Sequence, residues 1–250
     1  PGIGVHRHAS TNYRQRPNPD RRRECLQRSA NGALAMPVAF DAASSAITTL
    51  ASSLTFSHTV TGSNLALGVG VEFGDTGLVR TVSSITYNAV NLTKPAGGTS
   101  YNGTSIRSEL WYLANPASGA NNVVITLSAS VDGELIGGAV SMTGVDQATP
   151  VGTAANATGQ STTPTVTVTS AVDEMVMDSV AYNLTTGATP GAGQTERWER
   201  LASLTNSGVG STEAGAASVV MDWTTLLSDW ATVGLPFNEA VDTLFAQSVL

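Results

Sequence analysis

A chain of 250 residues with 12 Lys and Arg against 19 Asp and Glu is acidic overall and long enough for one large core or two small ones. Charged residues make up only 12% while Gly, Ser, Thr, Ala and Val dominate, which excludes a charged helical bundle and points to short polar strands joined by turns. The single cysteine, Cys25, excludes an intrachain disulfide, and no run approaches the roughly 20 apolar residues of a membrane-spanning helix.

Residues 1–35 form a basic stretch with Arg7, Arg14, Arg16, Arg21, Arg22, Arg23 and Arg28 against only Asp20 and Glu24. It has no apolar periodicity and contains Pro17 and Pro19, so the expectation is an extended arm that does not fold alone and is held by a partner. From Met36 the pattern changes. Leu54, Phe56, His58 and Val60 alternate with Thr55, Ser57 and Thr59, the mark of a half-buried strand. Leu65, Leu67, Val69, Val71 and Phe73 alternate with Ala66, Gly68, Gly70 and Glu72, a strand with large residues on one face and a thin back.

Further strands are expected at 82–87, 90–92, 105–113, 122–127, 134–142, 165–169, 174–182, 196–201, 216–223 and 229–237. About a dozen strands without a helix among them predict an all-β body over 36–237, a two-sheet antiparallel sandwich. The long return 146–163 favours Greek-key or jelly-roll connections over a simple meander, and the body is expected to be jelly-roll-like. Residues 238–250 read as a tail or a short helix, with Asn238 as N-cap and Val241, Leu244, Phe245 and Val249 at helical spacing.

Residues suited to catalysis or metal binding are sparse. His58 falls on the apolar face of its strand and reads as a hydrogen-bonded core imidazole. His6 and His8 lack a second ligand cluster, so no metal and no cofactor are expected. There is no Gly-x-Ser-x-Gly elbow. Glu196 and Glu199 are expected on opposite strand faces, paired with Arg197 and Arg200, rather than as the same-side acids of a glycosidase. No catalytic residue is assigned. Trp111, Trp198, Trp223 and Trp230 are candidates for a sugar-stacking platform, or else core residues. The seven arm arginines are candidate partner-binding residues; an acidic protein surface suits them better than phosphates because the body is itself acidic and shows no nucleic-acid-reading motif.

The segments Val140-Ser141-Met142-Thr143-Gly144-Val145-Asp146, Val82-Ser83-Ser84-Ile85-Thr86-Tyr87-Asn88, Glu109-Leu110-Trp111-Tyr112-Leu113 and 115–123 resemble β-sandwich modules of tailed-phage structural proteins and bacterial secreted proteins, over roughly residues 37–236. The resemblance implies particle decoration, fibres or adhesion, with no catalytic residues to carry over. By analogy with arms that cement phage shells, the expected role is a non-enzymatic capsid-decoration protein on a virion surface. The arm would bind capsid or other particle protein and neighbouring copies, in a homo-oligomer and without membrane contact. The alternatives are a carbohydrate-binding adhesin or tail-fibre module, extracellular in location, and a secreted glycan-active enzyme.

Overall fold

The structure is a computed structural model, and it describes residues 34–74, 77, 80–103 and 106–242. In chain order the strands are β1 (Leu34–Met36), β2 (Ala39–Thr49), β3 (Ser53–Val60), β4 (Ala66–Gly74), β5 (Val82–Tyr87), β6 (Val90–Asn91), β7 (Thr99–Asn102), β8 (Ile106–Ala114), β9 (Gly119–Leu127) and β10 (Glu134–Thr143). They continue with β11 (Ala155–Ser161), β12 (Thr165–Val168), β13 (Met175–Tyr182), β14 (Thr189–Pro190), β15 (Thr195–Arg200), β16 (Ser207–Ala214), β17 (Val219–Thr224), β18 (Ser228–Phe237) and β19 (Ala240–Asp242).

All pairings are antiparallel. They build an inner sheet β2-β10-β4-β8-β7 backed by an outer sheet β3-β9-β5-β6, then a second inner sheet β11-β18-β13-β16-β15 backed by β12-β17-β14. The all-β antiparallel sandwich expected from the sequence is therefore present, with four stacked layers where two were expected. β1 and β19 pair as a separate ribbon.

The strand orders contain an internal repeat. Numbering the strands of each half from its start, both inner sheets run first-last-third-sixth and both outer sheets begin second-seventh-fourth apart from the inserted β6, which is jelly-roll connectivity used twice. The sequence echoes it: Val123, Ile125 and Leu127 of β9 and Val219, Met221 and Trp223 of β17 are the equivalent inward residues, all buried. In the first half, alternation sends Leu67, Val69, Val71 and Phe73 of β4 into a core with Leu54, Ile85, Val123 and Ile125 of the outer sheet. In the second, Val166, Val168, Val176, Val219 and Met221 do the same.

The thin backs of the inner sheets face each other. β2 packs on β15, β10 on β16, β4 on β13, β8 on β18 and β7 on β11, a scheme that maps onto itself when the two halves are exchanged, like an isologous dimer interface within one chain. Ala66, Leu110, Val140 and Met142 meet Met177, Val233, Leu235 and Phe237 there.

Candidate functional site

The seven arm arginines and Cys25 lie outside the described residues. The described chain begins after them, at β1. Leu34, Ala35 and Met36 pair with Asp242, Val241 and Ala240. The helix expected from Asn238 is thus replaced at its start by a strand, because β1 supplies backbone partners that a short isolated helix would lack; residues 243–250 lie outside the described ones. The ribbon is tied to the body by Val38 N to Asp173 O at 2.8 Å, Ala240 N to Gly144 O at 2.7 Å and Asp146 N to Asn238 O at 2.9 Å. Gly144 has φ +74°, and a Cβ there would press on the Pro37 carbonyl.

Acids gather at this pole. Burial first, then the neighbouring Asp173 and Glu174, raises the Glu239 carboxyl above its ordinary range. Asp146 is held below its ordinary range by the amides of Ala148 and Thr149. A cavity of ≈ 340 Å³ lined by Met36, Pro37, Ser63, Thr143 and Gly144 opens beside the ribbon. Leu34, the first of the described residues, therefore lies opposite Asp242, the last, at a pole that carries negative charge.

The tryptophans do not form a platform. Trp198, Trp223 and Trp230 are 3%, 0% and 5% exposed, and Trp111 is half-buried. Each of the last three has a structural tether: Trp223 Nε1 donates to Asp178 Oδ2 at 2.7 Å, Trp230 Nε1 to Ser161 Oγ at 2.9 Å and Trp111 Nε1 to Glu109 Oε2 at 2.9 Å. Their rings fill the sandwiches, so stacking on a sugar is replaced by stacking on the protein.

The acids are arranged differently from expectation too. A bulge between Glu196 and Trp198 inserts an extra residue into β15. It brings Glu196 and Glu199 into each other's field instead of setting them on opposite faces: burial and then Glu199 raise the Glu196 carboxyl, and both acids act on the buried Tyr182. Arg197 and Arg200 do not pair with them. The Arg197 guanidinium lies 3.6 Å from the Phe40 ring centroid, and Arg200 donates to the Ser45 carbonyl at 2.6 Å, both reaching β2 of the other half. Glu199 accepts from Ala188 N at 3.0 Å.

His58 is buried, as expected, with Nδ1 2.8 Å from Ser44 Oγ. Burial lowers it to about 4, against the pull of Asp41. The buried Glu109 takes Arg107 Nη1 at 3.1 Å and the Nζ of the exposed Lys94 at 3.3 Å, an ion network that reaches from the first sandwich to its surface. Glu134 reaches across to the β15–β16 loop, where its carboxylate accepts from the backbone amides of Ser203, Leu204, Thr205 and Asn206 at 2.5–3.1 Å. Burial works against that carboxylate's charge, but the four donors outweigh it and hold Glu134 below its ordinary range. Sequence reasoning missed this plug because the nest that receives Glu134 is made of backbone. Among the described residues no group of three or more His, Cys, Asp or Glu is placed to hold a metal ion.

No protein-family model, no curated protein and no solved structure matches the chain.

Proposed function

We propose that the chain is a non-enzymatic structural protein of a virion-like particle, anchored by its basic arm to an acidic protein surface and displaying the double jelly roll outward. The observation that supports this most directly is the β1–β19 pairing, which fixes the residues that follow the arginines, Leu34–Met36, at one end of the body. The charge division in the sequence supports the same reading: seven arginines precede a body in which acids outnumber bases. An extended arm can cover a wide surface with many modest contacts, its ordering cost offset only on assembly. The Arg side chains also carry apolar stems that pack once their charges are met.

The test is attachment of the full chain and of a chain lacking residues 1–33 to isolated particles and, separately, to their nucleic acid, titrated over salt. Truncation is expected to abolish particle binding while leaving the unfolding midpoint unchanged. Salt is expected to weaken attachment of the full chain gradually, since exposed ion pairs are screened but stems still pack. Tighter binding to the bare nucleic acid with a steep salt slope would replace shell protein by phosphate as the partner.

A further inference from the structure

Among the described residues, the outward side chains of the β3-β9-β5-β6 strands are uncharged. Its outward residues lie in rows fixed by the register: Ser53, Thr126 and Ser84; Thr55, Val124, Thr86 and Asn91; Ser57 and Asn122; Thr59 and Ala120. Successive rows along a strand are about 6.8 Å apart and neighbouring strands about 4.8 Å, so the face is a grid of hydroxyl, amide and methyl groups. At one side the β5–β6 turn, with Asn88 and Ala89 at φ 50° and 61°, rises over β9 and is fastened by Asn88 N to Asn122 O at 3.2 Å. A shallow cavity of ≈ 430 Å³ lies there, lined by the polar Thr86, Asn88, Asn121 and Asn122 and the apolar Ala89, Ala120 and Val124. Asn121 is positioned from below by its donations to Tyr87 Oη at 3.4 Å and Ser118 O at 3.5 Å.

We propose that this cavity binds an uncharged oligosaccharide, with the Asn88 and Asn122 amides and the Thr86 hydroxyl meeting sugar hydroxyls and Ala89, Ala120 and Val124 meeting its C–H face. The volume falls in the range of about 300–1,000 Å³ usual for small-ligand sites. An amide both donates and accepts, which matches a polyol whose hydroxyls do the same. The chemistry of the face also excludes the other classes of partner. A charged ligand would be desolvated against a surface with no counter-charge. Nucleic acid needs Lys or Arg for its phosphates, and none stands among these residues. The centre of a protein interface is enriched in aromatic residues, Met and Arg, and none of these stands there either. This site rests on the outer sheet and is independent of the arm and of the particle reading.

The experiment is a screen of the full chain against immobilised neutral and acidic oligosaccharides containing α- and β-linked glucose, galactose, mannose and N-acetylglucosamine. Amide chemical shifts are then followed during titration with the best neutral hit. Asn122→Ala and Val124→Asp test the cavity, and Thr167→Asp, on the outer sheet of the second half, is the control; unfolding midpoints confirm that all three fold. Expected are binding to at least one neutral oligosaccharide, shifts centred on Thr86, Asn88, Asn122 and Val124, at least about a tenfold loss of affinity in both cavity variants, and no change in the control. The proposal is overturned if no neutral oligosaccharide moves those resonances, if binding survives Val124→Asp, or if sedimentation shows that Val124→Asp instead breaks a dimer formed through this face.

Discussion

Trp198 sets how closely the two inner sheets approach. Its ring fills the space left by Gly138 on β10 and Gly210 on β16, where an added Cβ would overlap the indole, and it lies 2.8 Å from where a Cβ on Gly70 would sit. The glycines are there for that contact, since neither Gly138 nor Gly210 has a left-handed backbone. Gly210→Ala should therefore destabilise the protein by about 1–3 kcal/mol through overpacking, with Gly77→Ala, where nothing lies within 4 Å but φ is +99°, costing only the backbone strain. Urea unfolding of the two variants separates packing from strain.

Beside Trp198 stands Glu72, fully buried, with Oε1 accepting from Ser179 Oγ at 2.6 Å. Burial pushes its carboxyl up to about 8, so it is mainly a neutral acid at pH 7. The folded state then binds a proton that the unfolded state has lost, and the contribution of this site to stability, intact below about 4.5, falls as pH rises through about 8. Glu72→Gln should remove that decline and make the variant more stable than the parent at pH 8, by on the order of a few kcal/mol, as read from denaturant midpoints at pH 5 and pH 8. His58 acts at the other end: its lowered value means stability is lost as pH falls from about 6.5 towards about 4.

At the scale of elements, the lateral edges of the inner sheets are closed by side chains rather than by further strands. On one side Arg197 and Arg200 of β15 reach Phe40 and Ser45 of β2. On the other, Ser100 and Asn102 of β7 donate to the Ala157 and Gly159 carbonyls of β11 at 2.7 and 2.9 Å. Edges covered in this way are poor templates for pairing with another chain. The ribbon at the pole makes a similar point about ends. A chain lacking residues 1–33 should keep its unfolding midpoint, whereas one lacking 1–38 loses β1 and the buried Val38 and should lose about 2 kcal/mol or more. Thermal unfolding of the two truncations measures the difference.

These same elements show what could be read in advance. β3 and β4 were legible because large residues alternate along them, and β10 and β18 because they are apolar runs buried on both faces. β2, β7, β11 and β16 were not. Ala, Ser, Thr and Gly fill them, since three are edges held by side-chain stitches and β16 must be thin to admit Trp198. The Arg197 bulge was equally hidden, because a register slip leaves no mark on composition. Of the candidate residues, the tryptophans were visible but their direction was not. The uncharged grid on the outer sheet was present in the sequence as alternating Ser, Thr and Asn, and only the register of β3, β9 and β5 brings those residues onto one surface.

For the whole molecule the question is whether two jelly rolls behave as two domains or one. Interfaces between independent domains are mostly polar and let the partners move. Here the contact is a core: Met142, Leu110, Val140, Met177, Leu235 and Phe237 are all fully buried between the inner sheets, and Glu134 threads from one half into a backbone nest of the other. Separating the halves would expose that apolar surface and exchange the four charge-assisted amide bonds of Glu134 for bonds to water. The molecule should accordingly unfold in one calorimetric transition, with equal calorimetric and van't Hoff enthalpies. Leu67→Ala in the first core and Val219→Ala in the second should each lower the midpoint of that same transition, the first through a stability loss of about 2–5 kcal/mol and the second through a somewhat smaller one. Glu134→Gln, which keeps the shape but removes the charge from the nest, should weaken the coupling between halves while leaving both cores untouched. Two resolved transitions in the parent chain, with Leu67→Ala shifting only one, would instead mean that the halves are autonomous and that the interface merely holds them together.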